Sequence, residues 1–194
     1  MDGAGAPPRY APAVAPRAVI VSGHLVDGSE RRTARFPDHE VDRVAREIDD
    51  TWVDWAVGPG TVVVTGGARG TDILASEAAL RRGAAVHLCL AVPADEFERR
   101  SVATPGSDWA RRFRALLAVA SVEVVSPDGG PDDVVFPRAN ARIVAFARSL
   151  DPTPYALLVW DRASGDDPGG TADMAAAVSD LPPDRVRVID PSPR

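Results

Sequence analysis

Val62-Val63-Val64-Thr65-Gly66-Gly67-Ala68-Arg69-Gly70-Thr71-Asp72 runs directly into Ile73-Leu74-Ala75-Ser76-Glu77-Ala78-Ala79-Leu80. A short β-branched apolar run, a turn with three glycines in five residues, and an alanine/leucine-rich stretch predict a strand, a tight connection and a helix. Glycines let the backbone turn sharply and approach a ligand closely. The first turn of the helix that follows presents unpaired N–H groups and the positive end of the dipole. Such a turn is a candidate phosphate cradle, and it is equally a plain short connection of an α/β protein. The spacing is neither G-x-G-x-x-G nor the G-K-[ST] of a P-loop, which disfavours a simple NAD dehydrogenase or ATPase.

The same alternation recurs along the chain. Ala18 to Ser22, Thr61 to Thr65, Ala85 to Ala91, Val122 to Ser126, Tyr155 to Trp160 and Val186 to Asp190 read as six strands. Helical periodicity falls at Asp38 to Val57, Thr71 to Arg82, Asp108 to Ala120, Arg138 to Leu150 and Thr171 to Ser179, with a shorter helix at Ala94 to Ser101. Continuous apolar strands separated by helices predict a doubly wound, mostly parallel six-stranded Rossmann-like sheet with helices on both faces. Val41, Val44, Ile48, Trp52 and Trp55 recur at three- and four-residue steps and mark the buried stripe of the first helix. Trp109 and Phe113 read as core anchors in the same way.

Composition bounds the rest. The 194 residues are 45% hydrophobic, enough for one domain, taken as residues 18–190 after an Ala/Pro/Gly-rich tail over 1–17 that is expected to be disordered. A net charge of −6 argues against a general grip on nucleic acid. There is no lysine, which excludes Schiff-base and Walker-lysine chemistry. Cys89, alone in its type and set in an apolar run, reads as a buried core residue of a cytoplasmic protein. No apolar stretch is long enough to cross a bilayer, so no membrane partner is expected.

In doubly wound sheets ligands sit at the carboxyl ends of the strands, which directs attention to three loops. The first is Ser22-Gly23-His24 with the charged stretch up to Phe36-Pro37, where Gly23 permits close approach and His24 can donate to phosphate or act as acid or base. The second is Gly66-Gly67-Ala68-Arg69-Gly70-Thr71-Asp72, with Arg69 placed to fork onto a phosphate. The third runs from Asp161 to Asp173 and contains Pro168-Gly169-Gly170-Thr171 at a helix start. Glu30, Arg31, Arg32 and Arg35 read as a solvated charge run or an anion-gripping lid. Asp72, Glu77, Asp161 and Asp173 are the carboxylates able to meet a ribose or an oxocarbenium-like centre. Capping by Asp72 and Thr171, and simple exposure of Glu77, are the structural alternatives. His87 and His39 read as packing and solvent-facing histidines, and the three scattered histidines give no zinc spacing; neither metal nor cofactor is expected.

Thr65-Gly66-Gly67-Ala68-Arg69-Gly70-Thr71-Asp72 with Ala75 and Ala78-Ala79-Leu80 resembles the G-x-A-x-G-x-D…A…A-L run of the SLOG superfamily. That group includes the DNA-processing protein A proteins, the Lonely Guy phosphoribohydrolases and nucleotide-sensing domains. Pro168-Gly169-Gly170-Thr171 resembles part of the P-G-G-x-G-T-x-x-E signature of the Lonely Guy enzymes, but the x-Gly pair is missing and Ala172-Asp173-Met174 replaces the run to the glutamate. The resemblance implies a nucleotide or nucleotide-derived ligand and a homodimer paired through an exposed helical face. Two readings follow: a binding or sensing module, or an N-glycosidic hydrolase of nucleoside 5′-monophosphates with Asp173 or Glu77 as catalytic carboxylate. The missing signature glutamate favours the first. Single-stranded DNA binding would need a basic groove with interleaved aromatics, which this acidic chain does not display.

Overall fold

In the computed structural model the described residues are 17–28, 33–163 and 168–193. Six strands form one sheet: β1 (Arg17–Gly23), β2 (Thr61–Thr65), β3 (Ala85–Leu90), β4 (Ser121–Val124), β5 (Tyr155–Val159) and β6 (Val186–Ile189), in the order β4-β3-β2-β1-β5-β6. Every pairing in it is parallel. The six helices are α1 (Val41–Asp54), α2 (Thr71–Arg81), α3 (Ala94–Phe97), α4 (Trp109–Leu117), α5 (Asp132–Leu150) and α6 (Thr171–Ala177). This is the expected doubly wound α/β sheet. No helix among the described residues is long and apolar enough to cross a membrane.

The apolar strands are continuous because both faces are covered. Val19 and Val21 of β1, Val63 of β2, Leu88 and Leu90 of β3 and Leu157 of β5 pack with Ile48 and Trp52 of α1, Ile73 of α2 and Phe113 of α4. Their immediate neighbours Ala18, Ile20, Val64, Cys89, Ala156 and Leu158 point the other way, onto Ile143 and Ala147 of α5 and Met174 of α6. Trp52 is fully buried, and its indole N–H donates to the Ala75 carbonyl at 3.1 Å, tying α1 to α2. Trp52, Trp55 and Trp109 are therefore packing residues, as their spacing predicts.

Several helix boundaries differ from the periodicity: α4 and α6 end two or three residues early, α1 is shorter at both ends, and α5 differs most. α5 begins at Asp132, six residues before Arg138, with Pro137 inside it. Proline lacks an N–H but sits in the second turn, and Asp132 and Asp133 in the first turn suit the dipole, so the helix forms through it. α1 stops at Asp54 rather than Val57, because Ala56 adopts φ +50° and Gly58-Pro59-Gly60 follows. The short predicted helix at Ala94 to Ser101 is α3 followed by a widened π turn at Glu98–Val102. The expected tail falls outside the described residues except for Arg17, which belongs to β1.

Candidate functional site at the switch point

From β1 the chain builds outward to β4, then returns to the opposite side of β1 as β5. The neighbours β1 and β5 therefore send their connections to opposite sides, and a crevice opens at their carboxyl ends. Gly23 pairs with Val159 in the last register position, and the His24 N–H extends the ladder to the Val159 carbonyl at 2.9 Å.

Just beyond, His24 and Asp161 meet, with Nε2 and Oδ1 3.0 Å apart. Arg35 grips the same carboxylate in a fork, Nε to Oδ2 at 2.7 Å and Nη2 to Oδ1 at 2.8 Å. The Arg35 guanidinium above all, and then His24, hold the Asp161 carboxyl well below the usual carboxylate range. An ionised carboxylate only accepts, so the His24–Asp161 contact is a hydrogen bond in the form of the ring that carries its proton on Nε2. Asp27 brings Arg35 there: its Oδ2 accepts from the N–H groups of Arg35 (2.9 Å) and Phe36 (3.0 Å), and its own N–H donates to the Phe36 carbonyl (2.7 Å). Arg35 is thus removed from the solvated charge run expected for this stretch, and is only 11% exposed. Glu30, Arg31 and Arg32 lie outside the described residues.

The first glycine turn folds as expected but fills its own cradle. The Asp72 carboxylate, in the first turn of α2, accepts from the Ala68 N–H at 3.1 Å, and a Cβ on Gly66 would lie 3.3 Å from Asp72 Oδ2. The N–H groups of Gly66 and Gly67 and the Thr65 hydroxyl favour the charged form from longer range, yet burial prevails and pushes the carboxyl up to about 6. The glycines serve packing as much as approach. Gly70 has φ +87°, and a Cβ there would stand 2.8 Å from the Val26 nitrogen. A Cβ on Gly23 would collide with the Thr71 hydroxyl at 2.4 Å, and that hydroxyl donates to the His24 carbonyl at 3.1 Å. Arg69 turns away: its Nε donates to the Val26 carbonyl at 3.0 Å and its N–H to the Ser101 carbonyl at 3.1 Å.

The second glycine turn resembles the first at lower burial. Asp173 accepts from the Gly169 N–H at 2.6 Å in an exposed setting, at the start of α6. Gly169 has φ +86° and rests on α5, where a Cβ would meet Phe136 Cβ at 2.5 Å. Asn140 of α5 donates to the Gly169 carbonyl at 2.8 Å and fixes the turn.

Between these loops lies a cavity of about 350 Å³, within the range of small-molecule sites. Val21, Phe97, Phe136, Ala139 and Ile143 supply apolar surface; Ser22, His24, Arg35, Asp72, Asn140 and Thr171 supply polar groups. Of the residues singled out in the sequence, Ser22, Gly23, His24, Gly66, Asp72, Gly169, Gly170 and Thr171 line it. Asp161 stands behind His24 and Arg35. Gly67, Arg69, Gly70, Thr71 and Asp173 are absent from the lining, with Arg69, Thr71 and Asp173 engaged as described. Glu77 is held elsewhere by a two-pronged pairing with Arg112 of α4, at 3.0 and 2.6 Å. Sequence reasoning passed over Phe97, Arg100, Ser101, Asp132, Phe136 and Asn140, which also line the cavity. Arg100 is balanced there by Asp132 at 2.9 Å and by Glu96. Of these, Asn140 carried a sequence signal, since it shares the stripe of the expected helix with Ala139 and Ile143, whereas Phe136 precedes the expected start at Arg138.

No known family profile matches the chain, and no curated protein does so. The chain is similar to a solved structure of TM1055, a structural-genomics protein, at 18% identity and a TM-score of 0.43, over 84% of this chain and 68% of that one.

Proposed function

We propose that the cavity at the ends of β1 and β5 binds a nucleotide or nucleotide-derived small molecule, and that the protein acts as a binding or sensing module. The observation that carries this reading is the pairing, around one cavity, of an apolar wall from α3 and α5 with a polar wall from the two glycine turns and His24. A base packs on the first, and a sugar or phosphate takes hydrogen bonds from the second. The SLOG resemblance of Gly66 to Asp72 supports the same ligand class. His24, oriented by Asp161, is a fixed polar contact. Because Asp72 already occupies the first turn, the phosphate falls to Gly170 and Thr171, whose backbone opens α6. Pairing of two protomers belongs to the same proposal and is read by light scattering.

Incubation with a panel of nucleoside 5′-monophosphates and NAD-derived nucleotides tests it, recording thermal shift and release of free base together. Stabilisation without base release is expected, and absence of any stabilisation across the panel contradicts it. One observation favours the hydrolase as a second reading: a buried carboxyl near 6, Asp72, lines the cavity, suited to proton transfer at neutral pH. In that reading Asp72 takes the part first assigned to Asp173 or Glu77, and base release disappears in Asp72→Asn.

A further inference from the structure

Outside this site, one cluster of chemically active side chains has no part in the nucleotide reading. His87 and Cys89 alternate onto the α5 side of β3, and the parallel register sets Glu123 of β4 directly beside Cys89. One ligand atom from each of the three lies within 4.8 Å of the others.

We propose that His87, Cys89 and Glu123 form a three-ligand site for a divalent cation of the zinc class. The imidazole is prepared for it. Nδ1 lies 3.1 Å from the Ser121 hydroxyl, and the ring stacks on Phe146 at 3.8 Å between centroids. With Nδ1 donating to that hydroxyl, the lone pair is on Nε2, and Nε2 is buried without a hydrogen-bond partner in a residue only 8% exposed. Nε2 stands 3.6 Å from Glu123 Oε2. That is too far for a hydrogen bond and close to the ligand–ligand edge of about 3.4 Å that zinc bonds of about 2.0–2.1 Å imply in a tetrahedron. Arg142 holds the same carboxylate, its Nε 2.8 Å from Oε1 and 2.9 Å from Oε2. With Oε2 on the ion, Oε1 stays with Arg142, the orienting partner that a ligating carboxylate requires.

The donor set decides the metal. A sulfur, an imidazole nitrogen and one carboxylate oxygen suit zinc-like ions and not magnesium or calcium, which take oxygen alone. Binding converts the Cys89 thiol to thiolate with release of one proton; the thiolate and the Glu123 carboxylate offset the charge of the dication, and the Arg142 guanidinium paired with Glu123 leaves the cluster with one positive charge in excess. Three ligands leave a fourth position for water. Cys89 also lines the cavity, which puts the ion beside the floor of the proposed nucleotide site, though nothing in the metal proposal depends on that ligand.

Cobalt(II) is the probe. Titrated into the full chain under reducing conditions, it is expected to give a thiolate-to-cobalt charge-transfer absorption that saturates at one equivalent and disappears on adding zinc. Cys89→Ser abolishes that absorption. Glu123→Gln, at a partly exposed position where folding is retained and checked by circular dichroism, weakens cobalt binding by about tenfold or more. Absence of the absorption in the wild-type chain overturns the proposal, as does a spectrum unchanged in Cys89→Ser.

Discussion

The turn at Gly66–Asp72 and the turn at Gly169–Asp173 are built alike and used differently. Each places glycine at a left-handed φ, then starts a helix whose first turn carries an aspartate that folds back onto a loop N–H. In the first, the aspartate is 8% exposed and its helix is buried along most of its length; in the second, the aspartate is exposed and the helix has seven residues. A buried carboxylate supplies internally the anion that such a turn attracts. An exposed one competes with water, which weakens its hold on the turn. Glycine spacing therefore identifies an anion-binding backbone without identifying the anion.

The sharpest way to break the comparison is to add a methyl group to each turn. Gly67 and Gly169 both have φ near +87°, but a Cβ on Gly67 meets only side-chain atoms at 3.4 Å or beyond, whereas one on Gly169 strikes Phe136 at 2.5 Å and the α5 backbone at 2.7 Å. Gly169→Ala should cost about 3–4 kcal/mol and Gly67→Ala about 1–2 kcal/mol, read from denaturant midpoints. Equal costs would mean that the second turn is not seated on α5.

Asp72→Asn comes next. The folded carboxyl is raised from 3.8 to about 6, so its contribution to stability is complete below the unfolded value and lost as pH rises from about 4 to about 6. The asparagine chain lacks that loss. It should be more stable than the wild type above pH 6, by on the order of 3 kcal/mol, read as a higher melting temperature. A profile parallel to the wild type through this window would remove Asp72 from its buried setting.

Asp161→Asn acts with the opposite sign. The native carboxyl is depressed, so its stabilisation is present above about pH 4 and declines as pH falls further. The variant should be less stable by about 1–2 kcal/mol at pH 7, and the gap should narrow in acid. Asp173→Ala, at an exposed cap, should cost only about 0.5 kcal/mol, and a loss as large as that of Asp161→Asn would mean the two turns are equally closed.

Strand positions were legible because Val62-Val63-Val64 and Ala156-Leu157-Leu158 are apolar on both faces, which only a covered parallel sheet explains. The loops that border the cavity were legible for the same reason: they follow strands. What the glycine spacing hid was tertiary. Arg35 reaches Asp161 across 126 positions of sequence, and that fork rests on Asp27 closing its own loop. Glu77 looked available beside the glycine turn, but helical geometry turns it toward Arg112. His87, Cys89 and Glu123 become a cluster only through the β3–β4 register, which no spacing rule for a single segment contains.

The central claim, that the crevice between β1 and β5 is a nucleotide site, is tested most directly by mapping backbone amide shifts during titration with a nucleoside 5′-monophosphate. Saturable shifts at Gly23, His24, Asp161, Gly170 and Thr171, with Glu77 and Arg112 unmoved, are predicted. Shifts confined to residues outside this set, or none at any nucleotide concentration, would contradict it.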